Sequence, residues 1–70
     1  MHLSRIYKML QRGDRAEVGE TYLIDHFKRG FVSDQKRKDW MRPSAEHQPA
    51  LMAWLAGRDA FRDGKPNPYT

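Results

Sequence analysis

Cysteine is absent from this chain of 70 residues. That excludes disulfides and thiolate metal sites as sources of stability. Also missing is any apolar run near the roughly 20 residues that a membrane-spanning helix needs. The N-terminus lacks the apolar block of a signal peptide, so a soluble cytoplasmic protein is expected. Histidines are few. His2, His26 and His47 show no His-x3-His spacing, so no metal site is predicted. Asp25-His26 and Glu46-His47 are adjacent pairs, and adjacent residues on a helix point in different directions. There is no glycine-rich phosphate loop and no nucleophile motif. No catalytic residue and no cofactor is expected, and so short a chain has little volume for a closed pocket. An enzyme is therefore not expected.

What is present is enough for one small domain spanning 1–70. Hydrophobic residues make up 39% of the chain, with two Trp, three Tyr and three Phe. That supplies a core despite the low mean hydropathy and argues against disorder. A chain this short sits near the lower limit for independent folding. Its stability must come from tight packing or from an oligomer.

The apolar spacing is helical. Leu3, Ile6, Tyr7 and Leu10 share one face of a segment from His2 to Gln11, with Arg5, Lys8 and Arg12 facing away and Gly13 as the stop. Asp14-Arg15-Ala16-Glu17 has the form of a capping box. It predicts a second helix running to about Arg29, with Gly30 ending it and Val18, Tyr22, Leu23 and Phe27 buried. Thr21 to Ile24 would also suit a short strand, but no second strand pattern exists to pair with it. Ser33 or Asp34 is placed to cap a short third helix, roughly 34 to 41, which carries Trp40 and Met41. Arg42-Pro43-Ser44 breaks it.

The last helix has the clearest pattern. Pro49 fits its first turn, with Gln48 before it as N-cap. Trp54, Gly57 and Phe61 share a face, and Arg58, Asp59, Arg62 and Asp63 make up most of the other side. Gly64 suits a left-handed C-terminal cap, and Pro66 and Pro68 favour an extended tail. Glycine within a helix costs roughly 1 kcal/mol relative to alanine, so Gly57 calls for a reason. Ala53, Gly57 and Ala60 leave a groove that fits either another helix of this chain, the favoured reading, or the backbone of a partner. The expected fold class is all-α, a small bundle of three to four short helices. Trp54, Leu55, Phe61, Leu23, Phe27, Ile6 and Leu10 are the expected core.

The spacing Ala53-x3-Gly57-x2-Ala60-x3-Gly64-x2-Asn67-Pro68-Tyr69 resembles the core pattern of the ribosome modulation factor family. That family holds short basic bacterial proteins together with phage and plasmid relatives. The resemblance covers about the last 20 residues of the chain. It implies a helical protein that binds the small ribosomal subunit and silences it.

Charge is concentrated in one place. The formal net charge is +4, and residues outside 28–42 balance. Within that segment Lys28, Arg29, Lys36, Arg37, Lys38 and Arg42 face only Asp34 and Asp39. Basic side chains interleaved with aromatics suit phosphate neutralisation and base stacking. They also suit an acidic protein surface. The candidate partner-binding residues are Lys28, Arg29, Lys36, Arg37, Lys38, Trp40, Arg42, Arg58, Arg62 and Tyr69. The expected function is that of a small basic binding protein, a regulator associated with the ribosome or with ribosomal RNA. The alternative is a phage- or plasmid-type inhibitor of a host protein with an acidic surface, acting alone or as a homodimer.

Overall fold

A computed structural model describes residues 3–69 and contains three α-helices: α1 (Leu3–Gln11), α2 (Thr21–Gln35) and α3 (Gln48–Arg62). There is no strand among the described residues, and no helix among them is long and apolar enough to cross a membrane.

The two long helices run parallel. Tyr22 and His26 lie beside Pro49 and Ala50 at their N-terminal ends. At the other end Arg62 Nε donates to Asp34 Oδ1 at 2.8 Å, and Phe31 meets Phe61 edge to face with centroids 5.2 Å apart. A parallel pair cannot be joined by a tight turn. Residues 36–47 form the crossover that brings the chain back to the start of α3. α1 runs antiparallel to α3 and packs mainly on it: Tyr7 reaches Asp59 at 2.5 Å, while Gln11 donates to the Ala56 carbonyl at 3.1 Å.

Backbone proximity explains the small residues. A Cβ on Gly30 would lie 1.8 Å from the Trp54 carbonyl oxygen, and one on Gly57 would lie 1.9 Å from that of Phe27. The two glycines therefore let α2 and α3 touch backbone to backbone at a single crossing. Ala53, Ala56 and Ala60 continue the small-residue face and are buried. The groove at 53, 57 and 60 is filled by the chain's own α2, so Gly57 serves intramolecular packing. Around this seam the core gathers Ile6, Met9, Leu10, Leu23, Phe27 and Trp54. Leu55 and Phe61, expected in the core, are only partly buried.

All three helices stop in the same way. At each C-terminus one N–H bonds back three residues and the next bonds back five: Gly13 and Asp14 after α1, Arg37 and Lys38 after α2, Gly64 and Lys65 after α3. This double bond pattern needs a left-handed residue at its first position. Gly13 (φ 80) and Gly64 (φ 73) supply it, whereas after α2 the residue is Arg37 (φ 58).

Several sequence expectations are corrected. The Asp14 capping box opens no helix. Asp14 instead completes the stop of α1, pairs with Arg12 at 3.0 Å, and gives its carbonyl to the Tyr69 hydroxyl at 2.7 Å. The backbone at Gly19 is left-handed (φ 92), so α2 starts only at Thr21. Val18, expected to be buried, is 103% exposed, and Tyr22 is exposed as well. Gly30 does not stop α2; it lies in the helix interior at the crossing. The third helix at 34–41 does not form, because α2 takes its first two residues and the rest is crossover. Nor does Ser33 or Asp34 cap a helix start: both lie in the last turn of α2. In α3 the N-cap is His47, with Gln48 already helical. His2 and the side chain of Leu3, assigned to the first helix from sequence, lie outside the described residues.

Candidate functional site

The C-terminal ends of α2 and α3 lie side by side, and between them is an open cleft of about 350 Å³. It is lined by Ser33, Asp34, Arg37, Lys38, Asp39, Arg58 and Arg62. Four cations thus converge from two segments distant in sequence. Arg37 and Lys38 come from the crossover, and Arg58 and Arg62 come from one face of α3, a turn apart.

The two α3 arginines are held in place. Asp34 fixes Arg62. Asp59 holds Arg58 at 3.2 Å through one carboxylate oxygen while the other accepts from the Tyr7 hydroxyl. Burial, then this hydrogen bond, pushes the Tyr7 phenol up to about 12. The Arg58 and Arg42 guanidinium carbons lie 6.0 and 5.5 Å from the centre of the buried Trp54 ring. Cation–π contact of this kind orients a guanidinium, and Asp59 takes only Nε and Nη2 of Arg58.

The wall made by the crossover is anchored by Ser33, which is 1% exposed. Its hydroxyl donates to the Lys38 carbonyl and accepts from the Trp40 N–H at 2.9 Å. The Trp40 carbonyl in turn accepts from Trp54 Nε1 at 3.0 Å. Trp40 is thereby held at both backbone groups, yet its side chain remains 43% exposed.

The position of the cleft has an electrostatic cost. Each helix C-terminus carries the equivalent of roughly half a negative charge, and parallel packing places two of them together. Asp34 and Asp39 add two full charges. The basic residues therefore first offset a negative field, and only the surplus attracts an anion. Lys36, just past the end of α2, adds to this compensation from an exposed position.

Of the residues singled out from sequence, Arg37, Lys38, Arg58 and Arg62 come together in the cleft. Trp40 and Arg42 do not line it, but the Trp40 N–H bonds Ser33, which does, and Arg42 lies over the same Trp54 ring as Arg58. Lys28 and Arg29 sit half-buried further up α2 and do not line it. Tyr69 has another task. Its ring packs edge-on against Phe27 at 5.3 Å, and its hydroxyl ties down the loop after α1. Pro68 covers Gly13, where an added Cβ would fall 2.8 Å from the proline Cβ. The tail after Gly64 is thus a strap folded back on the core, not a free extension. Sequence reasoning missed Ser33 and Asp34. Ser33 has no motif signal, and Asp34 acquires its role only from the parallel pairing.

A second cleft, of about 470 Å³, lies at the N-terminal ends of the pair, lined by Tyr22, His26, Pro43, Glu46, His47, Pro49 and Ala50. The His26 imidazole is driven below its ordinary 6.5 by burial and then by Arg29, against the pull of Asp25. Among the described residues no group of three or more His, Cys, Asp or Glu side chains could hold a metal ion.

Comparison with protein-family models, curated proteins and solved structures finds no match for this chain.

Proposed function

We propose that this chain is a small basic binding protein that uses the cleft at the C-terminal ends of α2 and α3 to hold RNA phosphates, as a regulator associated with RNA or with the ribosome. One observation carries the reading. Two of the three helix stops use glycine for the left-handed position, and the third, at the cleft, uses Arg37. A left-handed residue with a side chain costs roughly 1–2 kcal/mol, and an outlier of this kind supports a functional assignment. Here the strain points a guanidinium toward a site where Lys38, Arg58 and Arg62 already gather. The resemblance to the ribosome modulation factor family supports the same direction, although the residues that carry it are used in packing.

The test is a salt titration of binding to ribosomes and to an RNA oligonucleotide. With four phosphate contacts on a single strand, log affinity is expected to fall against log salt with a slope near ~−3. Lys38→Ala is expected to flatten that slope by about one contact, ~0.7. Absence of binding at low salt would refute the reading. Capture of an acidic protein from nuclease-treated lysate, without RNA binding, would favour the host-protein inhibitor instead.

A further inference from the structure

We infer that the cleft selects single-stranded RNA, with an unpaired base stacked on Trp40 next to a phosphate held by Arg37, Lys38, Arg58 and Arg62. This rests on the RNA reading above and goes beyond it by naming the form of RNA and the residue that selects it.

Three observations converge. The first is the state of Trp40. A large aromatic side chain is ordinarily buried in a domain this short of core, as Trp54 is. Trp40 is instead exposed, while its N–H and carbonyl are both hydrogen-bonded to the buried residues Ser33 and Trp54. The ring is thus carried on a fixed backbone. That limits the ordering cost of a stacking surface on binding, and aromatic side chains of this kind stack the bases of single strands.

The second is the mixture of charges. A duplex presents a regular double track of phosphates. The cleft interrupts its four cations with Asp34 and Asp39. Asp34 is engaged by Arg62. Asp39, the neighbour of Trp40, has only a 3.8 Å contact to Arg42 and is largely exposed. A carboxylate repels phosphate but accepts hydrogen bonds from base amino groups. Such an acceptor in the residue before a stacking ring suits the Watson–Crick edge of a base, which is open only when the base is unpaired.

The third is size. Double-stranded RNA is read by shape across about 16 base pairs and two successive minor grooves. This molecule measures 30 × 25 × 17 Å, and its converging cations occupy one end. They can follow a short stretch of one strand.

The experiment uses the full chain and fluorescence anisotropy at low salt. The probes are a labelled strand of roughly ten nucleotides, the same strand annealed to its complement, and labelled polyphosphate as a charge-only control. The variants are Trp40→Ala, Trp40→Phe and Trp40→Leu, each with a melting curve. The single strand is expected to bind at least about tenfold tighter than the duplex. Trp40→Ala and Trp40→Leu are expected to lose about tenfold on the single strand, Trp40→Phe much less, and polyphosphate binding is expected to stay unchanged. If Trp40→Ala unfolds the crossover, the Phe and Leu variants decide alone, since both fill the space and only one stacks. Equal binding of duplex and single strand would overturn the inference while leaving the RNA reading intact. So would a Trp40→Leu variant that binds the single strand like the parent, or that loses polyphosphate equally. Failure to bind either RNA would overturn both.

Discussion

The two ends of the parallel pair α2–α3 are built from opposite materials. At the C-terminal end, four cations and two carboxylates line a cleft, the backbone carries a strained arginine, and a buried serine fixes the loop. At the N-terminal end, two prolines, a tyrosine, two histidines, an alanine and the single charged residue Glu46 line a larger and more apolar cleft. Neither helix has an acidic residue in its first turn, and neither N-cap side chain bonds the open N–H groups. Parallel packing adds the macrodipoles instead of cancelling them. The chain gathers its cations at the end where the dipoles are negative, while the other end has Glu20 at the N-cap of α2 and Glu46 in the cleft wall. What this teaches is that a cluster of cations can serve two purposes. Part of it balances the helix ends, and the surplus is what a ligand meets.

The comparison depends on the crossing that forces both ends into being. Gly30→Ala or Gly57→Leu would drive a Cβ into carbonyl oxygens of the facing helix. Overpacking against backbone cannot be relieved by a rotamer change. Loss of about 3 kcal/mol or more is expected for either, measured as a fall in the urea midpoint. A variant that melts like the parent would mean that the helices do not touch there.

Next in size is Ser33→Ala, which acts at the basic end alone. It removes both bonds of the Ser33 hydroxyl and leaves the Lys38 carbonyl and the Trp40 N–H only their bond to one another at 2.9 Å. Each lost hydrogen bond costs about 0.5–1.5 kcal/mol. Hydrogen exchange is expected to rise at Trp40 while the amides of the N-terminal ends keep their protection. A uniform rise would dissolve the distinction between the ends.

The N-terminal end should respond to acid. The folded pKa of His26 is depressed, so below the unfolded value of 6.5 the unfolded chain binds more protons than the folded one. Stability is therefore full above that value and is lost as pH falls through it. A modest drop in melting temperature between pH 7.5 and 5.5 is expected, and His26→Gln should remove its pH dependence. An equal drop in that variant would place the titrating group elsewhere.

Much of this fold is legible in the sequence. The face of α1, the start of α3 near Pro49, the stops at Gly13 and Gly64, and the buried Trp54, Leu23 and Phe27 all follow from spacing and turn chemistry. Gly30 shows where such reading ends. In sequence it looks like Gly13 and Gly64, but a facing helix, not a helix stop, requires it. Arg37 shows the converse: a stop held by a residue with no local preference for it. The Asp14 capping box failed because the same aspartate was already committed to ending α1. For the site, the basic run was visible, but its union with Arg58 and Arg62 required the parallel pairing, which no local pattern announces. Tyr69 looked like a surface aromatic because its partner Phe27 lies 42 positions away.

Arg37→Gly tests the central claim most directly, because it separates the two purposes of the basic cluster. It removes one cation from the cleft and relieves the left-handed strain, so stability should hold or rise by about 0.5 kcal/mol. The measurement pairs a melting curve with a salt titration of single-stranded RNA binding, with Arg15→Gly as a control outside the cleft. The expected result is an unchanged or raised melting temperature, weaker binding, and a log–log salt slope flattened by ~0.7, with the control binding like the parent. An Arg37→Gly protein that is as stable as the parent and binds RNA with the parent's affinity and slope would contradict the account.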